Sequence, residues 1–427
     1  MKQVYSHPTQ IPRSKTIRSI EWLSDRIKIG DPNGLGDTHP LTWAADDEIY
    51  VGTGDPQALH DSSGERFTTR RYALKYDAKN DPEVDRHLLS CVTGSCVEKF
   101  SGDPENMTVS RVNDLPWSIG WGGSGAKPTG MISVDGVLYL ALQNTLGWKP
   151  PHFGSHCQHG SDATIICSRD FGKTWEPDLS KTMTDFYNEH FIRNKAIYSS
   201  PSAGPTHFAV RDGEWTPYYE RMNYKDYTPM FPGDWFGTPA FVQYGKDNAD
   251  AVDGYVYAVS SDQFDNGTKL RVGRVPKEKI MDREAWEFAT YLEDGSVGWT
   301  HDLFESDPML EIYRHIGAPE MVYIPSIKKY LLLTWAHHTD FDPRDGSELT
   351  VLEADNPWGP YSLVFYEWMW YKQESGGYCP RIPMKWFDND ELTGYLEWAG
   401  NYMNIWAEDT YYCPNLRKFK LILASKK

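Results

Sequence analysis

The chain has 427 residues, enough for two or three ordinary domains or for one ring of blades of roughly 40–60 residues each. Its 43 Lys and Arg face 60 Asp and Glu, and a net charge of −17 excludes the general basic footprint that nucleic acid or an anionic membrane surface requires. No run of about 18 apolar residues occurs, so no membrane span is expected, and the six cysteines form neither the CxxC pairs of a zinc module nor a disulfide scaffold.

The start, MKQVYSHPTQIPRSK, lacks the apolar core of a signal peptide. A secreted or periplasmic location, its leader missing from this chain, is the expectation, with the cytoplasm as the alternative. A strand near IRSIEWL (17–23) follows, and then one unit recurs: a turn with Asp or Gly, an apolar strand, a short polar gap and a second strand. It reads as 42–55, 128–144, 163–177, 238–262, 319–338, 349–367 and 382–401. In 128–144, Val137, Tyr139 and Ala141 alternate with Leu138, Leu140 and Leu142, apolar on both faces as expected of strands between blades. Only 276–292, PKEKIMDREAWEFATYL, has helical spacing. The run LRKFKLILA (416–424) is predicted to pair with the strand near 17–23 and close a ring.

The sharpest motif is Ser168-Arg-Asp-Phe-Gly-Lys-Thr-Trp175, a full Asp-box. Asp170 is placed to accept turn amides, Gly172 to adopt a positive φ and Trp175 to pack beneath the hairpin. The box is structural, not catalytic, and points to an all-β chain: a single β-propeller domain over 1–427, with 176–235 inserted over one face. That insertion is rich in Tyr, Asn, Pro and Met, contains His190 and His207, and is suited to wall a carbohydrate groove. Just before the box, His152, His156 and His159 crowd into KPPHFGSHCQHG (149–160), where Pro150, Pro151 and Gly154 argue against a helix. They read as a catalytic loop with a base of near-neutral pKa, as a metal site, or as exposed loop histidines.

From 36–55 through 127–140, 168–175, 236–246, 253–262, 270–288 and 354–367 the chain resembles the seven-bladed propeller polysaccharide lyases that cut ulvan and related rhamnose–glucuronate glycans, and their sister α-L-rhamnosidases. The resemblance implies seven blades, an acidic polysaccharide or oligosaccharide as substrate and β-elimination as the reaction. Tyr255, Arg271 and Tyr313 follow the order of the lyase set, with His156 or His159 as the histidine. Arg271 would neutralise a uronate carboxylate and a tyrosine would exchange the C5 proton. The second lyase histidine has no counterpart in 125–136, where Lys127 is the stand-in. Arg274, Arg314, His315, Lys127 and His207 are the candidate substrate contacts.

Two other readings stand beside it. His39, in GDTHPLTW, matches the histidine on which the rhamnosidases rely and would serve a glycoside hydrolase, whereas a non-catalytic glycan-binding propeller would explain the incomplete histidine set. The carboxylate pair of an ordinary glycosidase would come from Asp37, Asp46, Asp47, Asp55 or Asp234. No cofactor is expected for the chemistry. By the same resemblance, His337, His338 and Cys379 would hold a structural zinc, with calcium as the alternative.

Overall fold

The computed structural model describes residues 2–29, 36–56, 95–115, 118, 126–145, 160–179, 228–337, 347–368, 370, 377–400 and 412–425, and the backbone of four two-residue strands at 59–60, 66–67, 210–211 and 214–215. The candidates His152, His156, His159, His190, His207 and His338 lie outside these residues, as does most of 176–235. Within them the chain is all-β, and no helix is long and apolar enough to cross a membrane.

Five antiparallel meanders follow one another. The first blade runs Leu41–Trp43, Ile49–Gly54, Ser95–Ser101, Thr108–Asn113. The second runs Lys127–Val134, Val137–Gln143, Thr164–Ser168 and ends in a bridge from Cys167 to Glu176. The third comprises Ala240–Gln243, Tyr255–Ser261, Gly267–Pro276 and Glu287–Tyr291, and the fourth Glu320–Ile324, Lys329–His337, Ser347–Ala354 and Ser362–Trp368. The fifth takes Tyr378–Arg381, Thr393–Ala399 and Pro414–Leu423 from the C-terminal part and Ile17–Trp22 from the N-terminal part, as the sequence predicts.

The first strands of the blades stand around a common axis. Lys127–Val134 adjoins both Leu41–Trp43 and Ala240–Gln243, Val242 pairs in parallel with Met321, and Glu320–Ile324 adjoins Tyr378–Arg381. Five apolar clusters fill the five wedges between blades. Leu140 and Ile166 meet Val97 between the first and second, and Ile132 and Ile165 meet Phe241 between the second and third. Val242 meets Leu332, Leu333 meets Leu396, and Leu416 meets Val51 around the rest of the ring. A blade is therefore buried on both faces: Leu138, Leu140 and Leu142 face the first blade, and Ala141 with Tyr139 the third. The expected propeller is observed, with five blades among the described residues rather than seven. The recurring sequence unit is a hairpin, and the second and fourth blades each contain two.

Each innermost strand has a proline just before it or within its first three residues: Pro40, Pro128, Pro239, Pro319 and Pro380. An innermost strand has a hydrogen-bonding neighbour in its own blade on one side only, so a residue without an N–H leaves no ladder bond unmade on the axial side. The Asp-box behaves as read. Asp170 accepts from Ser168 Oγ (2.8 Å), Thr174 N (2.9 Å) and Thr174 Oγ1 (2.7 Å), Gly172 has φ 84°, and Trp175 is buried. The helix expected over 276–292 is absent. Two 3-10 turns, Lys277–Lys279 and Arg283–Ala285, lead into the strand Glu287–Tyr291, because Trp286 and Phe288 bury themselves in the wedge beside the second blade.

On the axis lies Arg381, 1% exposed. Its guanidinium donates to Thr38 O (3.3 Å) beside the first blade, Thr129 O (3.4 Å) in the second, and Pro319 O (2.9 Å) and Glu320 Oε2 (3.1 Å) in the fourth. Glu320 Oε1 accepts from Ile382 N (2.9 Å). Burial lifts Glu320 to about 7, against the pull of Arg381. Arg381→Met strands a buried carboxylate, so at pH 8 it should cost about 3–5 kcal/mol of stability. At pH 6 the loss should be smaller, because Glu320 can then take up a proton; denaturant unfolding at the two pH values measures both.

Candidate active site at the leading end of the innermost strands

Asp37, Lys127 and Tyr378 lie where innermost strands begin, Asp55 follows the second strand of the first blade, and Tyr412 precedes the third strand of the fifth. In an antiparallel meander these positions share one end of the sheets, so the five residues converge at one mouth of the ring. Asp37 is fastened there by a two-way backbone pairing with Gly54, both bonds 2.8 Å. Thr38 (φ 65°) and His39 (φ 37°) then turn the chain sharply into Pro40. Left-handed backbone at two successive non-glycine residues costs of order 1–3 kcal/mol each. Arg381, bonded to Thr38 O, and Glu397, bonded to His39, hold the turn in place.

The Asp37 carboxyl is asymmetric. Oδ2 accepts from Tyr412 Oη (2.8 Å) and Tyr378 Oη (3.1 Å), while Oδ1 is shielded from solvent and makes no hydrogen bond. Burial raises its pKa, opposed by the Tyr412 hydroxyl and by Lys127, His39 and the Tyr378 hydroxyl. A β-carbon on Gly54 would fall 2.4 Å from Asp37 Oδ1, so only glycine lets this carboxyl sit where it does. Asp55 is anchored otherwise, by Lys127 Nζ at 2.8 Å, with both side chains almost wholly buried.

Beneath these five lie two more buried acids. His39 Nδ1 is 2.8 Å from Glu397 Oε1, both side chains fully buried, with His39 Nε2 and Glu397 Oε2 making no hydrogen bond. Glu98 accepts from Thr53 Oγ1 (2.7 Å) and Arg111 Nε (3.2 Å). Burial raises the pKa of both glutamates, against His39 for Glu397 and Arg111 for Glu98.

The lyase set is not brought together. Tyr255 pairs with Pro276, and Arg271 with Ser260 five residues further along the same hairpin, a separation of about 17 Å. Tyr255 lies at the far end of the blade under Arg274, whose guanidinium is 4.4 Å from its ring centre, 3.9 Å from that of Trp299 and bonded to Glu287 (2.8 Å). Arg274 is thus packed between two rings and held in an ion pair. Arg271 is buried 4.2 Å over Trp235. Tyr313 points to solvent, 60% exposed, from the strand Leu310–Ile316 outside the ring of innermost strands. Arg314 beside it has φ 61° and donates its N–H to Thr268 Oγ1. His315 bonds Glu348, and among the described residues Lys127 is the proposed substrate contact that stands on an innermost strand at the mouth.

His337 is buried against Trp335, and Cys379 is a buried free thiol. Among the described residues neither belongs to a group of three metal ligands. Of the acid candidates, Asp46 and Asp47 sit in the hairpin turn at the opposite end, bonding Tyr50 and Lys246. Asp234 lies within electrostatic reach of Arg271. Sequence reasoning did not single out Glu320, Tyr378, Arg381, Glu397 or Tyr412. Glu320 and Arg381 each follow the proline of an innermost strand directly, a pattern that Pro12–Arg13, Pro104–Glu105 and Pro276–Lys277 share elsewhere in the chain.

No protein-family model matches the chain, and no curated protein does. Among solved structures it is similar to a protein of Bacteroides ovatus described as a hydrolase, at 10% identity and TM-score 0.47 over 90% of this chain and 86% of that one. It is similar to the α-L-arabinofuranosidase of Podospora anserina at 11% and 0.42, over 95% and 98%. A Dyadobacter fermentans protein of unknown function gives 12% and 0.44, over 95% and 100%.

Two tyrosine hydroxyls favour the ionised form of Asp37. Tyr412→Phe should therefore raise the pKa of that carboxyl further, because it removes a hydrogen bond to the carboxylate. Carboxyl-carbon NMR titration of Asp37 checks this.

Proposed function

We propose that the chain is a carbohydrate-active hydrolase that cleaves a glycosidic bond at this mouth, with Asp37 as the proton donor and Asp55 as the second carboxylate. The observation that supports it is the contrast between the two acids. Burial keeps Asp37 protonated to higher pH and leaves Oδ1 free of partners, while Lys127 sits 2.8 Å from Asp55 and favours its anion. Glycoside hydrolysis needs one carboxylic acid and one carboxylate on either side of the scissile bond, and opposite environments are what separate the roles. Asp37 passes its proton to the glycosidic oxygen as the C–O bond breaks. Asp55 then either takes a proton from the attacking water or attacks the sugar itself, and Lys127 stabilises its charge before the step. Tyr378 and Tyr412 return Asp37 to its starting geometry after it has ionised.

The uronate lyase reading rests on Tyr255 and Arg271, which the hairpin register holds apart. What favours it still is Lys127, a buried cation able to face a uronate carboxylate. His39, with Nε2 free of hydrogen bonds and Glu397 behind Nδ1, favours a third assignment in which the histidine moves the proton.

Incubation with neutral and glucuronate-bearing polysaccharides tests all three. The expected result is new reducing ends without the ultraviolet absorbance of an unsaturated uronate, reduced by about 10²–10⁴-fold in Asp37→Asn. Unsaturated product would move the reaction to β-elimination. Full activity in Asp37→Asn with none in His39→Ala would move it to His39. Binding without turnover would leave a glycan-binding propeller.

A further inference from the structure

A second constellation lies away from the axis, where the N-terminal arm crosses between the third and fourth blades. Strand Val4–Tyr5 runs parallel to Glu311–Ile312, and Arg13 bridges to Leu363 further along. Between these two fastenings the arm presents His7. Its ring stands edge-on to His315, centroids 4.8 Å apart, and to Tyr366 at 5.0 Å. His315 Nδ1 is 2.6 Å from Glu348 Oε1, and Tyr366 Oη is 3.2 Å from His7 Nε2. One ligand atom from each of His7, His315 and Glu348 lies within 4.8 Å of the others, with Glu348 fully buried and His315 6% exposed.

We propose that His7, His315 and Glu348 bind a divalent transition-metal cation, zinc in the first instance, which ties the N-terminal arm to the third and fourth blades. Two imidazoles and a carboxylate form a borderline donor set that suits zinc better than calcium, which takes six to eight oxygens. The supporting contacts fit the role. His7 Nδ1 accepts the Thr9 N–H (3.2 Å) and lies 2.8 Å from Thr9 Oγ1, so metal binding through Nε2 moves the ring proton to Nδ1, where Thr9 Oγ1 accepts it. The fourth position falls to water or to the Tyr366 phenol. Where the metal is bound through His315 Nδ1, it replaces the proton shared with Glu348, so binding releases that proton to solvent. This group is separate from His337, His338 and Cys379 and takes no part in the reaction at the mouth.

The full chain, stripped with a chelator and dialysed, is titrated with Zn²⁺ by calorimetry and with Co²⁺ by visible absorption. The expected result is one equivalent of Zn²⁺, a four- or five-coordinate Co²⁺ spectrum, and a Tm that rises with Zn²⁺ concentration. His7→Ala should weaken that equivalent by at least about tenfold and flatten the Tm response. His7 itself belongs to none of the wedge clusters, so circular dichroism should show an intact fold. No stoichiometric Zn²⁺ binding by the unaltered chain, or unchanged binding by folded His7→Ala, overturns the proposal.

Discussion

A ring of blades has a vacant line down its middle, and in this protein that line is crossed by one guanidinium. Arg381 grows from the fifth blade, reaches carbonyls beside the first and fourth and within the second, and pairs with the Glu320 carboxylate. The wedge clusters pull neighbouring blades together pairwise, and a sixth cluster joins Phe264 of the third blade to Trp335 of the fourth and to Tyr378 and Tyr412 of the fifth. Arginine suits the task because its planar fork satisfies several acceptors from one centre and keeps its charge when buried. The strained turn at Thr38–His39 depends on it directly. Asp37 stands one residue ahead of that turn, so the carboxyl proposed as proton donor takes its position from the axial arginine.

Much of this architecture was legible. Local chemistry reported faithfully: the Asp-box contacts, the two-faced burial of Val137–Gln143 and the pairing of 17–23 with 416–424 all depend on short-range spacing or on strands with a single plausible mate. Blade number was not, because a hairpin is the unit that alternation reveals and two hairpins can share a sheet. The X-Pro steps at 40, 128, 239, 319 and 380 mark blades rather than hairpins, but among 28 prolines nothing in the sequence sets them apart. The segment 276–292 shows the opposite failure. Its apolar residues fit a helical period, but the wedge beside the second blade has room for Trp286 and Phe288 on an outer strand.

The site was harder to read. Asp37 and Asp55 were visible as acids but indistinguishable among 60, since what sets them apart is a tyrosine pair from one blade and a lysine from another. Tyr255 and Arg271 were joined by chain order, yet order along a hairpin says nothing about which end a residue occupies. Sixteen residues around a turn put them at opposite ends of one blade. Convergence at a propeller mouth is governed by position relative to the innermost strand.

The fifth blade joins Ile17–Trp22 to Pro414–Leu423. The two strands lie on either side of the other four blades in the chain. The four intervening blades can stack on one another while the ring is open and the 17–22 edge unsatisfied. Closure is therefore the step of highest contact order, slow by topology rather than by chemistry, and the unpaired edge is the surface a chaperone would have to guard.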